Sequence, residues 1–339
     1  MRSSLESLLA SRAVVLADGA TGTNYFEMGL ESGEPPELWN VDHPENVGEL
    51  HRRFVEAGAD VILTNTFGCN RNRLSLHRAE DRVFELAKTA AAIARTVADE
   101  ADRPIVVAGS VGPTGELFAP LGGLTHESAV AAFREQIEGL VAGGIDVAWI
   151  ETMSAPEEVR AAATAAIEVG VPYTATCSFD TAGRTMMGLP PGDLGRVFEG
   201  LTIGPVAYGA NCGVGAPDIL VSLLDMTAAD PAAVTICKGN CGVPRFAGTE
   251  IVYTGTPQLM GRYAALAAAA GARVVGGCCG TSPEHLAAMR AAIDRHDAVD
   301  RPDRDAIVAG VGPLTNTPPR EIGERGVRAR SGRRSSRQP

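Results

Sequence analysis

Residues 104–109 read PIVVAG, residues 127–142 read ESAVAAFREQIEGLVA, and residues 146–151 read DVAWIE. The first and last stretches are short and almost wholly apolar, as strands buried on both faces are. The middle stretch repeats its apolar residues three and four apart and is followed by Gly143, the pattern of an amphipathic helix stopped at a glycine. A strand, a helix and a second strand in this order form a parallel crossover unit.

The same unit recurs along the chain. Apolar runs at 13–17, 60–65, 172–178, 205–211, 233–238 and 273–277 bring the predicted strands to eight, and further helical stretches lie at 46–57, 81–100, 155–168 and 258–270. Eight such units over about 290 residues predict a single (β/α)8 TIM barrel spanning 1–299. An open doubly wound sheet would not need eight units, and no G-x-G-x-x-G follows the first run. From residue 300 to 339 the chain is rich in Arg, Pro, Gly and Ser and has no aromatic residue. That composition predicts a flexible C-terminal tail.

The 339 residues carry a formal charge of −11. Nine arginines against four acidic residues fall in 301–339, so the body is more acidic still and the tail is basic. An acidic body gives no general attraction for nucleic acid or an anionic membrane. No apolar run reaches membrane-spanning length, since the Ala-rich segment 264–277 is broken by Gly271 and Arg273. The N-terminal segment makes a poor signal peptide because Glu6 and Arg12 interrupt it, and a cytoplasmic protein is expected. Seven cysteines at irregular spacing, two of them vicinal, suit thiols kept reduced for chemistry better than disulfides.

In a barrel of this kind the loops after the strands carry function. These strand ends hold Asp18-Gly19-Ala20-Thr21-Gly22-Thr23, Thr64-Asn65-Thr66-Phe67, Glu151-Thr152, Asn211-Cys212-Gly213, Lys238-Gly239-Asn240-Cys241-Gly242 and Gly276-Gly277-Cys278-Cys279-Gly280. Four of the seven cysteines therefore share one face. Adjacent residues of a strand point to opposite sides, so Cys278 and Cys279 can meet one ion only where the backbone leaves strand geometry, which the flanking glycines permit. With one more strand-end thiolate they make a three-cysteine Zn²⁺ site whose fourth position stays open. Spacing leaves Cys212 and Cys241 equal as the third ligand, because each sits in an Asn-Cys-Gly. Cys69, Cys177 and Cys237 read as packing residues.

The segments at 18–23, 64–67, 211–213 and 276–285, in that order, resemble the signature segments of the homocysteine S-methyltransferase family. The resemblance covers about residues 10 to 295. It implies a zinc-bearing (β/α)8 barrel that moves a methyl group to homocysteine, with Cys212, Cys278 and Cys279 as ligands and catalytic groups. It also implies that Asp18 and Glu151 hold the substrate ammonium and that the Gly19-Ala20 turn receives its carboxylate. An amino acid zwitterion needs such an anionic pair and such a turn. The expected partners are homocysteine and a small methyl donor, and self-association into a homo-oligomer stays open.

An onium donor is expected to meet aromatic rings, for which Tyr25, Phe26, Trp39 and Phe67 are the candidates. The animal betaine enzymes of the family carry tyrosines where this chain has Gly68 and Thr152. The segments 18–40 and 178–188 are nevertheless similar to the bacterial betaine-homocysteine methyltransferases, and betaine is the expected donor. S-methylmethionine, dimethylsulfoniopropionate and a separate methyl-corrinoid protein are the alternatives. Two competing readings make Lys238, one of two lysines, a Schiff-base nucleophile, or make the barrel a noncatalytic zinc or carrier-binding protein.

Overall fold

The computed structural model describes residues 2–242, 244–247, 250–295 and 300–316. Among the described residues ten strands run β1 Val15–Leu16, β2 Val61–Leu63, β3 Val106–Val111, β4 Val147–Met153, β5 Tyr173–Cys177, β6 Ala207–Cys212, β7 Thr235–Gly239, β8 Pro244–Ala247, β9 Glu250–Tyr253 and β10 Ala272–Gly277. Twelve helices accompany them: α1 Leu5–Ser11, α2 Gly22–Glu27, α3 Trp39–Asp42, α4 Pro44–Glu56, α5 Arg71–Leu74, α6 Val83–Glu100, α7 His126–Gly143, α8 Pro156–Val169, α9 Ala216–Ala229, α10 Pro257–Ala269, α11 Pro283–Asp294 and α12 Arg304–Val311. Eight strands pair in parallel in the order β1-β10-β7-β6-β5-β4-β3-β2, and a bridge between Ala17 and Val61 closes the ring. The expected TIM barrel is the fold.

The closing seam is short of regular ladder bonds, and two buried aspartates complete it. Asp60 accepts from the Leu16 N–H at 2.9 Å, while Asp18 accepts from the Leu63 N–H at 2.7 Å. The backbone adds bonds from Asp18 N–H to Val61 O and from Asp60 N–H to Leu16 O. Arg12, Arg103 and Arg290 surround the Asp60 carboxylate and keep that buried charge paired.

Alternation along the strands builds two cores. Val15, Val61, Val106, Val147, Ala207, Ile236 and Val274 point into the barrel near its N-terminal end, where Leu5 and Leu8 of α1 cap them and Trp149 lies above. The other strand faces pack against the helices through a larger layer that includes Phe54, Leu86, Phe133, Ile137 and Leu220. Helix ends follow the local chemistry: Thr125 and Ser128 form a capping box on α7, and Gly144 closes it in the left-handed region.

Three features depart from the sequence expectation. No α-helix covers the crossover from β5 to β6, which holds a 3₁₀ turn at Pro191–Phe198. An antiparallel hairpin of β8 and β9 follows β7. The extension expected to be flexible from residue 300 contains α12, which packs on α9 and α10 with Ile307 and Val311 buried. Arg301 anchors its start on Ala270 O, Leu224 O and Thr227 Oγ1, and the N–H groups of Thr315 and Asn316 donate to the Asp218 carboxylate. The ordered unit thus passes residue 299, and the rest of the predicted tail, 317–339, lies outside the described residues. Among the described residues no helix is long and apolar enough to cross a membrane.

Two outcomes follow for stability. Ile307→Ala should cost about 2 to 5 kcal/mol and lower the melting temperature by on the order of 10 °C, whereas an ornamental helix would leave it unchanged. His51 is buried on α4 with neither ring nitrogen bonded among the described residues, and burial, helped by Arg52, depresses its pKa to about 4. A neutral buried imidazole binds fewer protons than the unfolded chain, so its contribution is present above pH 6.5 and is lost as pH falls toward 4, a change of about 3 kcal/mol. Chemical denaturation across that range should show a flatter acid limb for His51→Leu than for the parent protein.

Candidate functional site: a three-thiol centre at the barrel mouth

The strand ends leave strand geometry where the chemistry gathers. Cys212, the last residue of β6, has φ +61°, and Thr152 near the end of β4 has φ +60°. Non-glycine residues seldom occupy this region, and each costs roughly 1 to 3 kcal/mol where it is held. Asn211, the residue before Cys212, holds Thr152: its Oδ1 accepts from Thr152 N–H and Thr176 Oγ1, each at 2.7 Å, and its Nδ2 donates to Thr152 Oγ1. After β10, the Cys278 N–H donates to Gly239 O and the Thr281 N–H returns to Cys278 O, while Gly280 turns at φ +77°. A side chain at Gly277 would strike Thr281 at 2.2 Å, so only glycine lets this loop fold back.

These turns bring the Sγ atoms of Cys212, Cys278 and Cys279 within 4.8 Å of one another. Cys241, which spacing could not separate from Cys212, stays outside that group. Its N–H donates to Cys279 O, and its sulfur packs where a Gly255 side chain would otherwise be. Side-chain amides reach the cluster from two neighbours, Asn240 Nδ2 to Cys212 Sγ at 3.6 Å and Asn211 Nδ2 to Cys278 Sγ at 3.8 Å. For Cys212 the contact with Cys278 favours the thiolate, but the contact with Cys279 and burial outweigh it and push the thiol up to about 12. Without a cation, three crowded thiols hold their protons.

The acidic residues lie deeper in the same mouth. Glu151 accepts from Ser110 Oγ at 2.5 Å through Oε1, and its Oε2 has no partner among the described residues. Burial raises its pKa, against Lys238 and the Ser110 bond, which lower it. Its charge is close enough to act on Cys278. Asp18, the other residue expected at the substrate ammonium, lies at the barrel seam. One carboxylate oxygen serves the barrel seam and the other is bonded to Lys238 Nζ at 2.8 Å. The expected carboxylate turn is likewise half-occupied, because the Ala20 N–H donates to Thr281 O at 3.0 Å, leaving the Gly19 N–H.

Of the four aromatic candidates, Tyr25 and Trp39 are buried against each other at 5.3 Å, whereas Phe26 and Phe67 face solvent. A further ring, Tyr253, was not singled out by sequence; it lies over Gly280 and faces Cys279. Ser110 and Asn240, which the sequence places only at strand ends, and Tyr253, which carries no sequence signal, also belong to the site.

The mouth of this (β/α)8 barrel gathers three thiols and a buried carboxylate. The sequence profile of the homocysteine S-methyltransferases matches residues 15–293, and the chain belongs to that family. Methionine synthase of Mycobacterium tuberculosis is 31% identical over 312 residues, covering 87% of this chain and 25% of that protein. Its Mycobacterium leprae counterpart is 31% identical over 309 residues, covering 86% and 25%. The chain therefore spans about a quarter of the length of these relatives. The homocysteine methyltransferase MmuM of Escherichia coli, solved in oxidised and metallated forms, shares the fold with a TM-score of 0.71 and 24% identity in each, over 85% of this chain and 98% or 99% of that one.

The sulfur geometry can be tested without any substrate. After treatment with chelator and reductant, a monosubstituted arsenical, which captures only closely spaced thiols, should bind tightly to the parent and to Cys241→Ala. Cys278→Ala, which leaves the Cys212–Cys279 pair, should still capture it, whereas Cys212→Ala/Cys279→Ala, with one thiol of the three, should not; loss of capture in Cys278→Ala would mean that the thiols do not converge.

Proposed function

We propose that this barrel transfers a methyl group from an onium donor, with betaine placed first, to the thiolate of homocysteine, giving methionine, with Zn²⁺ held by Cys212, Cys278 and Cys279. The observation that carries this reading is the convergence of those three thiols beside Glu151 in a chain of this family. The donor set fits the ion. Three cysteine sulfurs are a donor set that zinc takes, and here they lie within 4.8 Å of one another. Asn240 Oδ1, buried without a partner, offers an oxygen next to Cys212. When bound, zinc supplies a lowered pKa for a coordinated thiol, so that the homocysteine sulfur is a thiolate at neutral pH.

The chain's own residues then orient and shield. Glu151, held through Oε1 by Ser110, presents Oε2 to the substrate ammonium, and the Gly19 N–H receives the carboxylate. Phe67 and Tyr253 offer rings to the cationic donor. As the sulfur attacks the methyl carbon, the carbon–nitrogen bond of betaine breaks and its electron pair stays on nitrogen, leaving dimethylglycine. No proton moves, so no general base is needed, and charge is neutralised in a site shielded from water. Reduced thiols suit a cytoplasmic setting.

A second reading is favoured by the similarity to methionine synthases, namely that a separate methyl-corrinoid protein brings the methyl group to this mouth. A panel of betaine, dimethylsulfoniopropionate, S-methylmethionine and a methyl-corrinoid protein, each with homocysteine and scored by methionine formed, distinguishes the donors. Purified protein should hold about one zinc per chain. Cys212→Ala, Cys278→Ala and Cys279→Ala should lose both metal and turnover, whereas Cys241→Ala keeps most of both. Glu151→Gln should retain zinc and weaken homocysteine binding by about ten- to hundredfold. Zinc-loaded protein that forms no methionine with any donor would refute the proposal.

A further inference from the structure

Tyr263 reaches the thiol centre from outside the sheet. It is a fully buried residue of α10, and its hydroxyl ends between the last residues of β7 and β10. It accepts from the Gly239 N–H at 2.8 Å and donates to Cys237 O at 2.9 Å, with Gly276 O 3.4 Å away. The ring covers Gly239, where a Cβ would approach its Cζ to 3.0 Å. A phenylalanine would fill the same space without a polar group to satisfy, so what the tyrosine adds is the hold of its hydroxyl on the backbone.

Gly239 is the residue from which the thiol cluster is laid out. On one side it is level with Cys212 of β6, and on the other with Gly277 of β10. Its carbonyl accepts from the Cys278 N–H at 2.8 Å. Asn240 donates to Gly213 O at 2.6 Å and brings its Nδ2 to 3.6 Å from Cys212 Sγ, while the Cys241 N–H donates to Cys279 O at 2.9 Å. Each of the three cysteines is thus bonded to one of three successive residues, 239–241. The first of these is tied down by Tyr263.

We propose that Tyr263 is a positioning residue of the thiol centre: its hydroxyl fixes the Gly239 peptide and, through residues 239–241, sets the separation between Cys212 and the Cys278–Cys279 turn. This rests on the proposed function for the ion that the cluster holds, and it adds to that reading a residue that touches neither metal nor substrate. Without the hydroxyl the Gly239 N–H is left unpaired in the core, which is costly, so the peptide turns to recover a partner and carries residues 239–241 with it. Ligands whose spacing has drifted hold an ion less tightly. Groups that orient metal ligands from behind commonly account for about ten- to hundredfold in affinity.

Two variants disturb this contact in opposite ways, and thermal melting checks that each folds. Y263F removes the hydroxyl and keeps the ring, whereas G239A keeps the hydroxyl and pushes the ring away with a methyl group. Leu86→Ala, a cavity in the wall behind β2 and β3, serves as a control that lowers stability alone. Zinc affinity is read by competition with a chromophoric chelator. Thiol spacing is read by arsenical capture in metal-free protein that also carries Cys278→Ala, where the captured pair, Cys212 and Cys279, reaches from β6 across β7 to the turn after β10. Y263F and G239A should each weaken zinc binding and arsenical capture roughly tenfold or more, and the two combined should lose little more than either alone, since both act on one contact. Leu86→Ala should change neither. The inference is overturned if either readout in folded Y263F or G239A stays within about threefold of the parent, or if Leu86→Ala loses as much. A parent protein that takes up no zinc would sink the proposed function, and the capture measurement, which needs no metal, would still decide the role of Tyr263.

Discussion

One of the two buried aspartates that complete the barrel seam also organises its mouth. Asp18 stands where the first strand has run out of ladder partners, and it supplies a side-chain oxygen to the Leu63 N–H that a regular strand would have bonded with its backbone. Its other oxygen holds Lys238 across the lumen. Burying an ion pair is costly, and replacing such pairs by apolar residues often leaves a protein no less stable. Here the pair cannot be exchanged for two leucines without opening the seam, because a leucine has no acceptor for that N–H. Closure of the fold and charge of the site are therefore settled by the same atoms.

Around that pair the chain accepts local strain to gather sulfur. Cys212 and Thr152 occupy the left-handed region without being glycine, and Asn211, next to Cys212 in the chain, ties Thr152 and Thr176 down with three short hydrogen bonds. Gly19, Gly277 and Gly280 lie where a Cβ would enter Thr281 or Tyr253. The thiol centre is thus a product of backbone turns at three strand ends, and the strands themselves remain ordinary. A rigid barrel can hold such turns because each begins and ends in a paired strand.

The eight strands were legible because each is a compact apolar run between glycine- or proline-marked ends, and a barrel is the simplest closure for eight of them. The hairpin after β7 was not, since PRFA and EIVY are four residues each and sit among Gly, Pro and Thr. Helix α12 escaped for a related reason: two buried residues, Ile307 and Val311, make a core face too small to stand out from an arginine-rich segment. In the site, Gly-Gly-Cys-Cys-Gly announced itself, yet Cys212 and Cys241 share the same tripeptide and differ only in backbone direction and neighbours. The Asp18–Lys238 bond joins residues 220 apart, a distance at which neither propensity nor periodicity says anything.

The two ends of the described chain leave the barrel on opposite sides. Helix α1 seals the lower end with Leu5 and Leu8, whereas Asn316 is held to Phe179 O and Asp218, beside the loops that follow β5 and β6. Anything joined beyond residue 316 accordingly starts its path next to the reactive face, and anything joined ahead of α1 starts behind it. For modular assembly this is an asymmetry: a tether that leaves residue 316 sets out on the side of the mouth, while one that precedes α1 sets out on the far side.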